Sequence, residues 1–159
     1  MKKVSAYQPI GTIHSPFDDI PGMPIQPAFS KARGSIEVSG KYAAGLKDIE
    51  GFSHIIILYH FHESGKTKLL AKPFLDDTIR GVFATRSPHR PNHIGLSVVK
   101  IKKVEGNKLH FTEVDFLDGT PVLDIKPYVK QFDSRPDAVS GWIEKHYQDG
   151  KQPEQTKAK

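Results

Sequence analysis

The chain has 159 residues, enough for a single domain with a hydrophobic core and too few for two comfortable ones. Lysine and arginine total 23 against 18 acidic residues, and the net charge of +5 favours nucleic acid or an anionic substrate, although any basic soluble protein fits it too. The chain contains no cysteine, which excludes disulfides, thiolate nucleophiles and cysteine-based zinc sites.

No segment has the roughly 20 apolar residues that a membrane-spanning helix needs, because the longest apolar run covers residues 55–59. Residues 1–5 carry the charges of a signal peptide, but no apolar stretch follows them. We therefore expect a cytoplasmic protein that has no membrane partner.

Short apolar and β-branched clusters recur along the chain and predict strands. They cover residues 10–13, 35–38, 55–61, 82–85, 94–101, 109–114 and 122–125. Turn pairs such as Gly106-Asn107 and Asp118-Gly119 separate them, as in antiparallel hairpins. Since the alternation of apolar and polar residues is only partial, some strands are expected to be buried on both faces. The pattern predicts a mainly β fold, a small antiparallel β-barrel with short peripheral helices.

Helical patterns are few. Residues 42–49 predict one short helix, and residues 137–147 predict a C-terminal helix that Trp142 docks on the body of the protein. From Asp149 onward the chain has almost no apolar residues. We therefore predict one β-barrel domain over residues 1–148 and a disordered tail over residues 149–159.

Two irregular segments have features typical of functional loops. Residues 15–31, the early loop, contain four prolines and no clear period. Residues 85–97, the arginine segment, place Arg86, Arg90, Asn92 and two prolines between apolar strands. Because proline fixes its own φ and restricts the residue before it, the guanidinium groups are expected to be preorganised. Such cations suit an anionic or delocalised ligand.

His60 and His62 end an apolar run two positions apart, so on a strand they face the same side and could hold a metal or a substrate. A third ligand is not evident nearby, since Glu63 would point the other way. Hydrogen-bonding histidines at a strand end explain the pair better, and we predict no metal site.

Residues 118–128 place Asp118, Asp124, Lys126 and the Tyr128 hydroxyl around a tight turn and a short strand. A plain hairpin, in which Asp118 bonds the backbone of the turn, explains much of this pattern. A buried Asp124 or Lys126 would require a partner, which favours a functional role.

Several common catalytic motifs are missing from the sequence. No glycine-rich phosphate or dinucleotide loop follows a predicted strand, and no Gly-x-Ser-x-Gly motif is found. The residues by themselves therefore indicate a small β protein with an arginine-rich site for an anionic or nucleic-acid-like ligand, and they do not identify a reaction.

Five segments occur in a distinctive order: residues 9–16, 51–54, 83–88, 90–92 and 118–128. Together they resemble the TrmO family, also called TsaA-like or YaeB-like, and their shorter spacings resemble an archaeal-type member. The match spans most of residues 7–130. The resemblance implies a β-barrel homodimer that uses S-adenosylmethionine to methylate N6 of threonylcarbamoyladenosine beside the tRNA anticodon. Members bind the donor without a Rossmann sheet, in agreement with the missing glycine-rich loop.

The resemblance also implies which positions bind the methyl donor: Gln26, Pro27, Ala28, His62, Glu63, Arg86, Leu96, Thr112, Glu113, Val114 and Asp115. Two positions depart from the family pattern. Ile25 stands where the family often has arginine, which removes a cation from the early loop. His93 stands where it often has proline, which adds a titratable group near the ligand.

The catalytic candidates are Arg86, Asp118, His62, Lys126 and Tyr128, and the candidates for substrate binding are Arg90, Asn92 and Lys126. Methyl transfer requires alignment of donor and acceptor and the removal of one proton. Our hypothesis is that Asp118 or His62 accepts that proton. Arg86 and Lys126 would offset negative charge on the carbamoyl and carboxylate oxygens of the substrate.

Two other classes of function remain open. One is a non-catalytic β-barrel that binds RNA, with the arginines on phosphates and Phe83, His89 and Tyr128 stacked on bases. The other is a hydrolase of small anionic molecules that uses Asp118, Asp124 and the histidines as acids and bases. Binding of S-adenosylmethionine without RNA separates the methyltransferase from the RNA-binding module.

Overall fold

The computed structural model describes residues 6–147 and 157–158. Within these residues, six strands close into an antiparallel barrel and two form a separate hairpin. The strands are β1 (Gly11–His14), β2 (Arg33–Val38), β3 (His54–His60), β4 (Leu70–Ala71), β5 (Arg80–Gly81), β6 (Ile94–Glu105), β7 (Lys108–Thr112) and β8 (Pro121–Pro127). Their order around the barrel is β1-β2-β7-β6-β3-β8, and β4 pairs with β5 outside it. The predicted small antiparallel β-barrel is confirmed.

The barrel is filled by alternate side chains of its strands. In β3, Ile55, Ile57 and Tyr59 are buried, while the residues between them are half-buried on the outer face. The Tyr59 ring packs edge-on against Phe116, with 4.8 Å between ring centroids. It also lies over Gly95 of β6, where a Cβ would overlap the ring. Each such buried aliphatic or aromatic side chain contributes roughly 1.5–3 kcal/mol by leaving water.

The helical segments are mostly short 3₁₀ turns rather than α-helices. The predicted helix over residues 42–49 is two turns, Gly40–Leu46 and Ile49–Gly51. The predicted C-terminal helix is shorter and is also 3₁₀, Gly141–His146, because Gly141 adopts a positive φ of 57° that breaks a longer helix. The one α-helix among the described residues is α1 (Lys130–Asp133).

One predicted strand is wrong. Residues 82–85 form a 3₁₀ turn, Val82–Ala84, that buries Val82 and leaves Phe83 76% exposed. The Thr85 hydroxyl donates a hydrogen bond to the Val82 carbonyl and closes this turn. Three apolar residues in a row carry the same sequence signal for a turn and a buried strand, so their composition does not separate the two.

The two ends of β3 define the two ends of the barrel. At the His60 end, β3 meets the start of β6 and the first residues of β8. At the His54 end, β3 meets Lys100 and Pro127, about 20 Å away at 3.3 Å per residue. The early loop connects β1 to β2 and contains the short turn Pro27–Phe29. The loop part of the arginine segment comes directly before β6.

The tail prediction falls mainly on residues outside the described part of the chain, namely 149–156 and 159. Lys157 forms an isolated bridge with Pro24, and the Ala158 N–H donates to the Met23 carbonyl at 2.9 Å. Ala158 is buried there. Among the described residues, no helix has the length and apolar character needed to cross a membrane.

Candidate functional site

The arginine segment is held in shape by its own side chains. Arg90 is half-buried, and its Nη1 donates hydrogen bonds to the carbonyls of Thr85 at 3.2 Å and Ser87 at 3.4 Å. His93 adopts a positive φ of 50°, and its Nδ1 lies 2.6 Å from the Ser64 hydroxyl. Arg90, a predicted substrate-binding residue, therefore uses part of its guanidinium to close the loop, while Asn92 is exposed beside it.

Arg86 joins the arginine segment to the early loop. Its Nη1 donates a hydrogen bond to Gln26 Oε1 at 3.2 Å, across 60 positions of sequence. Pro27, the next residue, is buried, and Ala28 is exposed. Of the three neighbouring positions that the resemblance assigned to donor binding, Gln26 is thus the one bonded to Arg86.

Asp115 is the buried acid of this site. It is 8% exposed, and the Ser97 hydroxyl of β6 lies 2.9 Å from its Oδ1 and 3.1 Å from its Oδ2. Burial raises the pKa of Asp115 to about 7, while the Ser97 hydrogen bond and the positive charge of Arg86 oppose that rise. Near neutral pH the carboxyl is therefore divided between its neutral and ionised forms.

A second buried hydroxyl belongs to the same network. The Tyr59 hydroxyl lies 3.4 Å from Ser97 Oγ. Burial, followed by the charge of Asp115, raises the pKa of Tyr59 well above its ordinary value. Tyr59 therefore remains a neutral hydrogen-bonding group at any physiological pH, and Asp115 is the member of the network that titrates.

The backbone before Asp115 turns at Glu113, which has an unusual conformation. Thr112 ends β7, and Glu113 then adopts a φ of 71°, a conformation that residues other than glycine rarely take. Its N–H donates to the Ala32 carbonyl at 3.0 Å. Val114 is fully buried. This turn carries the chain from the wall of the barrel to Ser97 and places Asp115 beside it.

The two candidate proton acceptors lie at one turn. Asp118 Oδ1 accepts the Ser15 N–H at 3.0 Å, so this carboxylate has the backbone-bonding role that is typical of an Asp-Gly turn. Gly119 follows with a φ of 75° and lies directly beside His62, whose Nε2 is 4.0 Å from the position a Gly119 Cβ would take. Glu63 Oε1 is 3.7 Å from the same nitrogen. His62 and Asp118 are thus close together, and Asp118 is already engaged.

Three other predicted residues do not join this group within one chain. Lys126 lies on the outer face of β8, where its Nζ is 2.7 Å from Asp124 Oδ2. Leu96 is an outward residue of β6 and is 44% exposed. Tyr128 lies at the His54 end, where its N–H donates to the His54 carbonyl at 3.0 Å. The structure therefore places Tyr128 at the opposite end of β3 from His62.

The residue patterns missed Ser97 and Tyr59 as parts of the site. A signal was present, because the inward positions of β6 alternate as Gly95, Ser97 and Val99, and a serine at a fully buried position requires a partner. That partner, Asp115, is 18 positions away and follows a turn, so the pairing depends on the closed barrel.

The C-terminal turn, Gly141–His146, joins the two loops that carry Gln26 and Arg86. Trp142 Nε1 donates a hydrogen bond to the Ala84 carbonyl at 2.8 Å, two residues before Arg86. The next residue after the turn, Tyr147, stacks on Phe29 of the early loop with 6.1 Å between ring centroids. The predicted docking through Trp142 is observed, and it places this segment against both loops.

A half-buried ionic cluster fixes the other side of that turn. Asp76 Oδ2 lies 2.5 Å from Arg80 Nη2 and 3.2 Å from Lys145 Nζ. The Arg80 guanidinium lies 4.4 Å from the Trp142 ring centroid, a cation–π contact. The hydrogen bond from Arg80, then that from the Thr78 N–H, holds the pKa of Asp76 well below its ordinary range. The cluster attaches β5 to the C-terminal turn.

The chain is similar to a known protein family and to several of its members. The family model described as the tRNA-methyltransferase O N-terminal domain matches residues 12–134. A probable S-adenosyl-L-methionine-binding protein of Pyrococcus abyssi is 52% identical over 141 residues, which are 88% of this chain and 77% of that protein. The tRNA (adenine(37)-N6)-methyltransferase of Mus musculus is 44% identical over 135 residues, 80% of this chain and 31% of that enzyme.

A solved structure gives the same result for the fold. The crystal structure of TrmO from Pseudomonas aeruginosa matches with a TM-score of 0.76 and 38% identity, over 89% of this chain and 64% of that one. The chain thus spans less than two thirds of the Pseudomonas chain and less than a third of the mouse enzyme. Because the family model covers most of the chain and the Pyrococcus relative is more than half identical, the resemblance found in the sequence is confirmed, and the chain belongs to the TrmO family.

Proposed function

We propose that this chain binds S-adenosylmethionine and methylates N6 of threonylcarbamoyladenosine beside the tRNA anticodon, as a homodimer. The observation that carries the proposal is the hydrogen bond between Arg86 and Gln26, which joins two distant loops near enough to the buried Asp115 for the Arg86 charge to lower its pKa. The printed names of the relatives support the coarser part, a donor-dependent methylation of a tRNA adenine at N6. The threonylcarbamoyl group and the homodimer rest on the resemblance alone.

The charges of the described residues fit the donor. S-adenosylmethionine has a carboxylate, an ammonium group and a sulfonium, so its site requires groups of both signs. Arg86 supplies an exposed cation that suits the carboxylate. Asp115 supplies a buried acid that is near enough to sense the Arg86 charge; it suits a cationic group and is ionised more readily when one is near. When bound, the donor supplies an electrophilic methyl group.

The chain's own residues then have separate roles. Arg86 and Gln26 orient the two loops toward each other through their hydrogen bond. His62, which is half-buried next to Gly119, accepts the proton that the acceptor nitrogen loses, and Asp118 is the other candidate. Since Asp118 already accepts the Ser15 N–H, an additional role as base would weaken a bond that shapes the turn. We therefore favour His62 Nε2.

The role of Lys126 depends on the path of the substrate over the barrel, and the role of Tyr128 depends on the position of the second copy in the homodimer. The Lys126 ammonium, paired with Asp124 on the outer face of β8, offsets the charge of the threonyl carboxylate only if the substrate extends over that face. Tyr128 is about 20 Å along β3 from His62 and acts in this site only from the partner copy. Mixing Arg86→Ala and Tyr128→Phe subunits tests the second point, since restored activity in the mixture requires residues from two copies.

The first experiment is calorimetric titration of the protein with S-adenosylmethionine in the absence of RNA. Saturable binding is expected for the wild type, with a loss of at least tenfold in affinity for Arg86→Ala. Arg135→Ala is the matched control, because Arg135 is exposed and its side chain bonds only the neighbouring Ser134 carbonyl among the described residues. Absence of binding by the wild type would favour the RNA-binding module and contradict the proposal.

A second experiment addresses the substrate. Methyl transfer from labelled donor is measured on tRNA that carries threonylcarbamoyladenosine and on the same tRNA without that modification. Incorporation into the modified tRNA alone is expected. Equal incorporation into both would retain tRNA N6-methylation and exclude the requirement for threonylcarbamoyl, while light scattering of the purified protein checks the homodimer.

A further inference from the structure

A cavity of about 310 Å³ opens on the barrel wall, and its lining includes none of Arg86, His62 and Asp115. It is lined by residues of β2, β6 and β7: Arg33, Gly34, Lys102, Lys103, His110 and Phe111. This volume leaves room for a phosphate group and part of its sugar. None of these six residues has a role in the proposed donor site.

Four of the six lining residues have basic side chains, and part of their charge is uncompensated. Glu105 lies 2.7 Å from Lys103 Nζ and 2.9 Å from His110 Nε2, so one carboxylate serves both groups. Arg33 and Lys102 form no ion pair with any residue that the structure describes. Two positive charges therefore remain available to an anion in this cavity.

A β-bulge creates this arrangement. The pairing of β6 with β7 shifts between Ile101, opposite Phe111, and Lys103, opposite His110, so Lys102 is the extra residue. In a regular strand two consecutive lysines would point to opposite faces. A bulge bends the strand and changes the direction of its side chains, and here both lysines line one cavity.

The cavity lies close to the segment that carries Asp115. Arg33 pairs directly with Thr112, the last residue of β7, and Asp115 follows three positions later. Adding one strand spacing of about 5 Å to three residues of chain gives an upper limit of roughly 15 Å between the Arg33 and Asp115 backbones. When one base of a nucleic acid lies at the donor site, a phosphate only a few nucleotides away can therefore reach the cavity.

We propose that this cavity binds a backbone phosphate of the RNA substrate, a few nucleotides from the methylated base, through Arg33 and Lys102. The inference rests on the proposed function, since it specifies where that RNA contacts the protein. Phosphate contacts fix the register of a nucleic acid and are independent of its sequence. The contact would thus position tRNA without selecting it.

The test is tRNA binding at several salt concentrations for the wild type and for a variant with Arg33→Gln and Lys102→Gln. Loss of one phosphate contact is expected to lower affinity by about tenfold and to reduce the slope of log affinity against log salt by roughly one. The control carries Lys47→Gln and Lys130→Gln, which remove the same charge from exposed positions elsewhere. It should keep the wild-type slope.

Titration with S-adenosylmethionine keeps the two proposals separate. The Arg33 and Lys102 variant should bind the donor like the wild type, which also shows that it is folded. A wild type that binds no tRNA contradicts the proposed function itself. Normal tRNA binding by the wild type, together with equal slopes for the two double variants, overturns the phosphate site alone. Saturation by inorganic phosphate at micromolar concentration would also overturn it, because the cavity would then be a site for free anions.

Discussion

The barrel and the loops at its His60 end are stabilised in different ways. In the barrel, buried side chains such as Ile57 and Phe111 pack on many neighbours, and every strand is bonded to two others. In the loops, single polar contacts join distant segments, among them Arg86 with Gln26 and Trp142 with Ala84. A region held by few contacts opens locally at low cost, whereas a packed barrel unfolds as a unit. The site thus combines an acid fixed in the rigid barrel, Asp115, with loops that can change conformation.

The strongest test of this comparison is removal of packing inside the barrel. Ile57→Ala should lower the free energy of unfolding by about 2–5 kcal/mol, because Ile57 is fully buried and leaves a cavity. Urea denaturation measures this loss. Val139→Ala is the control, since Val139 is 85% exposed and its truncation should change stability by no more than about 0.5 kcal/mol. Equal effects of the two changes would contradict the distinction between the regions.

The next test concerns the acid between the two regions. Because the pKa of Asp115 is raised to about 7 in the folded protein, its protonated form stabilises the fold below the ordinary aspartate pKa near 4. That contribution is lost as the pH rises through about 7, by an amount on the order of 4 kcal/mol.

The measurement for Asp115 is the difference in stability between the wild type and Asp115→Asn at pH values from 4 to 8. Asparagine has similar size and can still accept the hydrogen bond from Ser97, but it does not titrate. The wild type should therefore lose stability relative to the variant as the pH rises. Parallel curves over the whole range would show that Asp115 titrates like an exposed carboxylate.

A smaller loss of stability is expected at Gly95, where the barrel wall supports the Tyr59 ring. Gly95→Ala places a Cβ in the Tyr59 ring and should cost about 1–3 kcal/mol, while the displaced hydroxyl weakens donor binding through Ser97. Gly81→Ala is the matched control, because a Cβ there meets nothing within 4 Å. Thermal unfolding and donor titration of the two variants provide the comparison. A wild-type melting temperature for Gly95→Ala would contradict the close packing of the Tyr59 ring on Gly95.

The smallest effect on stability should come from the loops. Trp142→Phe keeps an aromatic ring but loses the hydrogen bond to Ala84, at a cost of about 1 kcal/mol. Donor affinity should fall several-fold, because the C-terminal turn then no longer fixes the segment before Arg86. Phe132→Leu, at a 61% exposed position, serves as the control and should leave donor affinity unchanged. Unchanged affinity for Trp142→Phe would show that this turn does not position the site.

Most of the barrel follows from local patterns, whereas the site follows only in part. The predicted cluster at residues 55–61 forms β3, because the direction of side chains in a strand alternates from one residue to the next and needs no distant contact to be predicted. The cluster at residues 82–85 became a turn, since so short an apolar run has no period. The family resemblance indicated Gln26, Arg86 and Asp115, but not the Ser97 and Tyr59 hydroxyls that surround the acid.

The sequence by itself determined the strand-rich pattern, the stiff arginine segment and the exclusion of thiol chemistry, because these depend on residue type and nearest neighbours. Only the tertiary structure decided that Arg86 meets Gln26, that Asp115 is buried against Ser97 and that Lys102, the extra residue of a bulge, lines the same cavity as Arg33. These arrangements bring together residues 18 to 69 positions apart in a chain of 159, so they exist only once the barrel has closed. The pKa of Asp115 likewise depends on desolvation, a property of the folded interior that no local pattern contains.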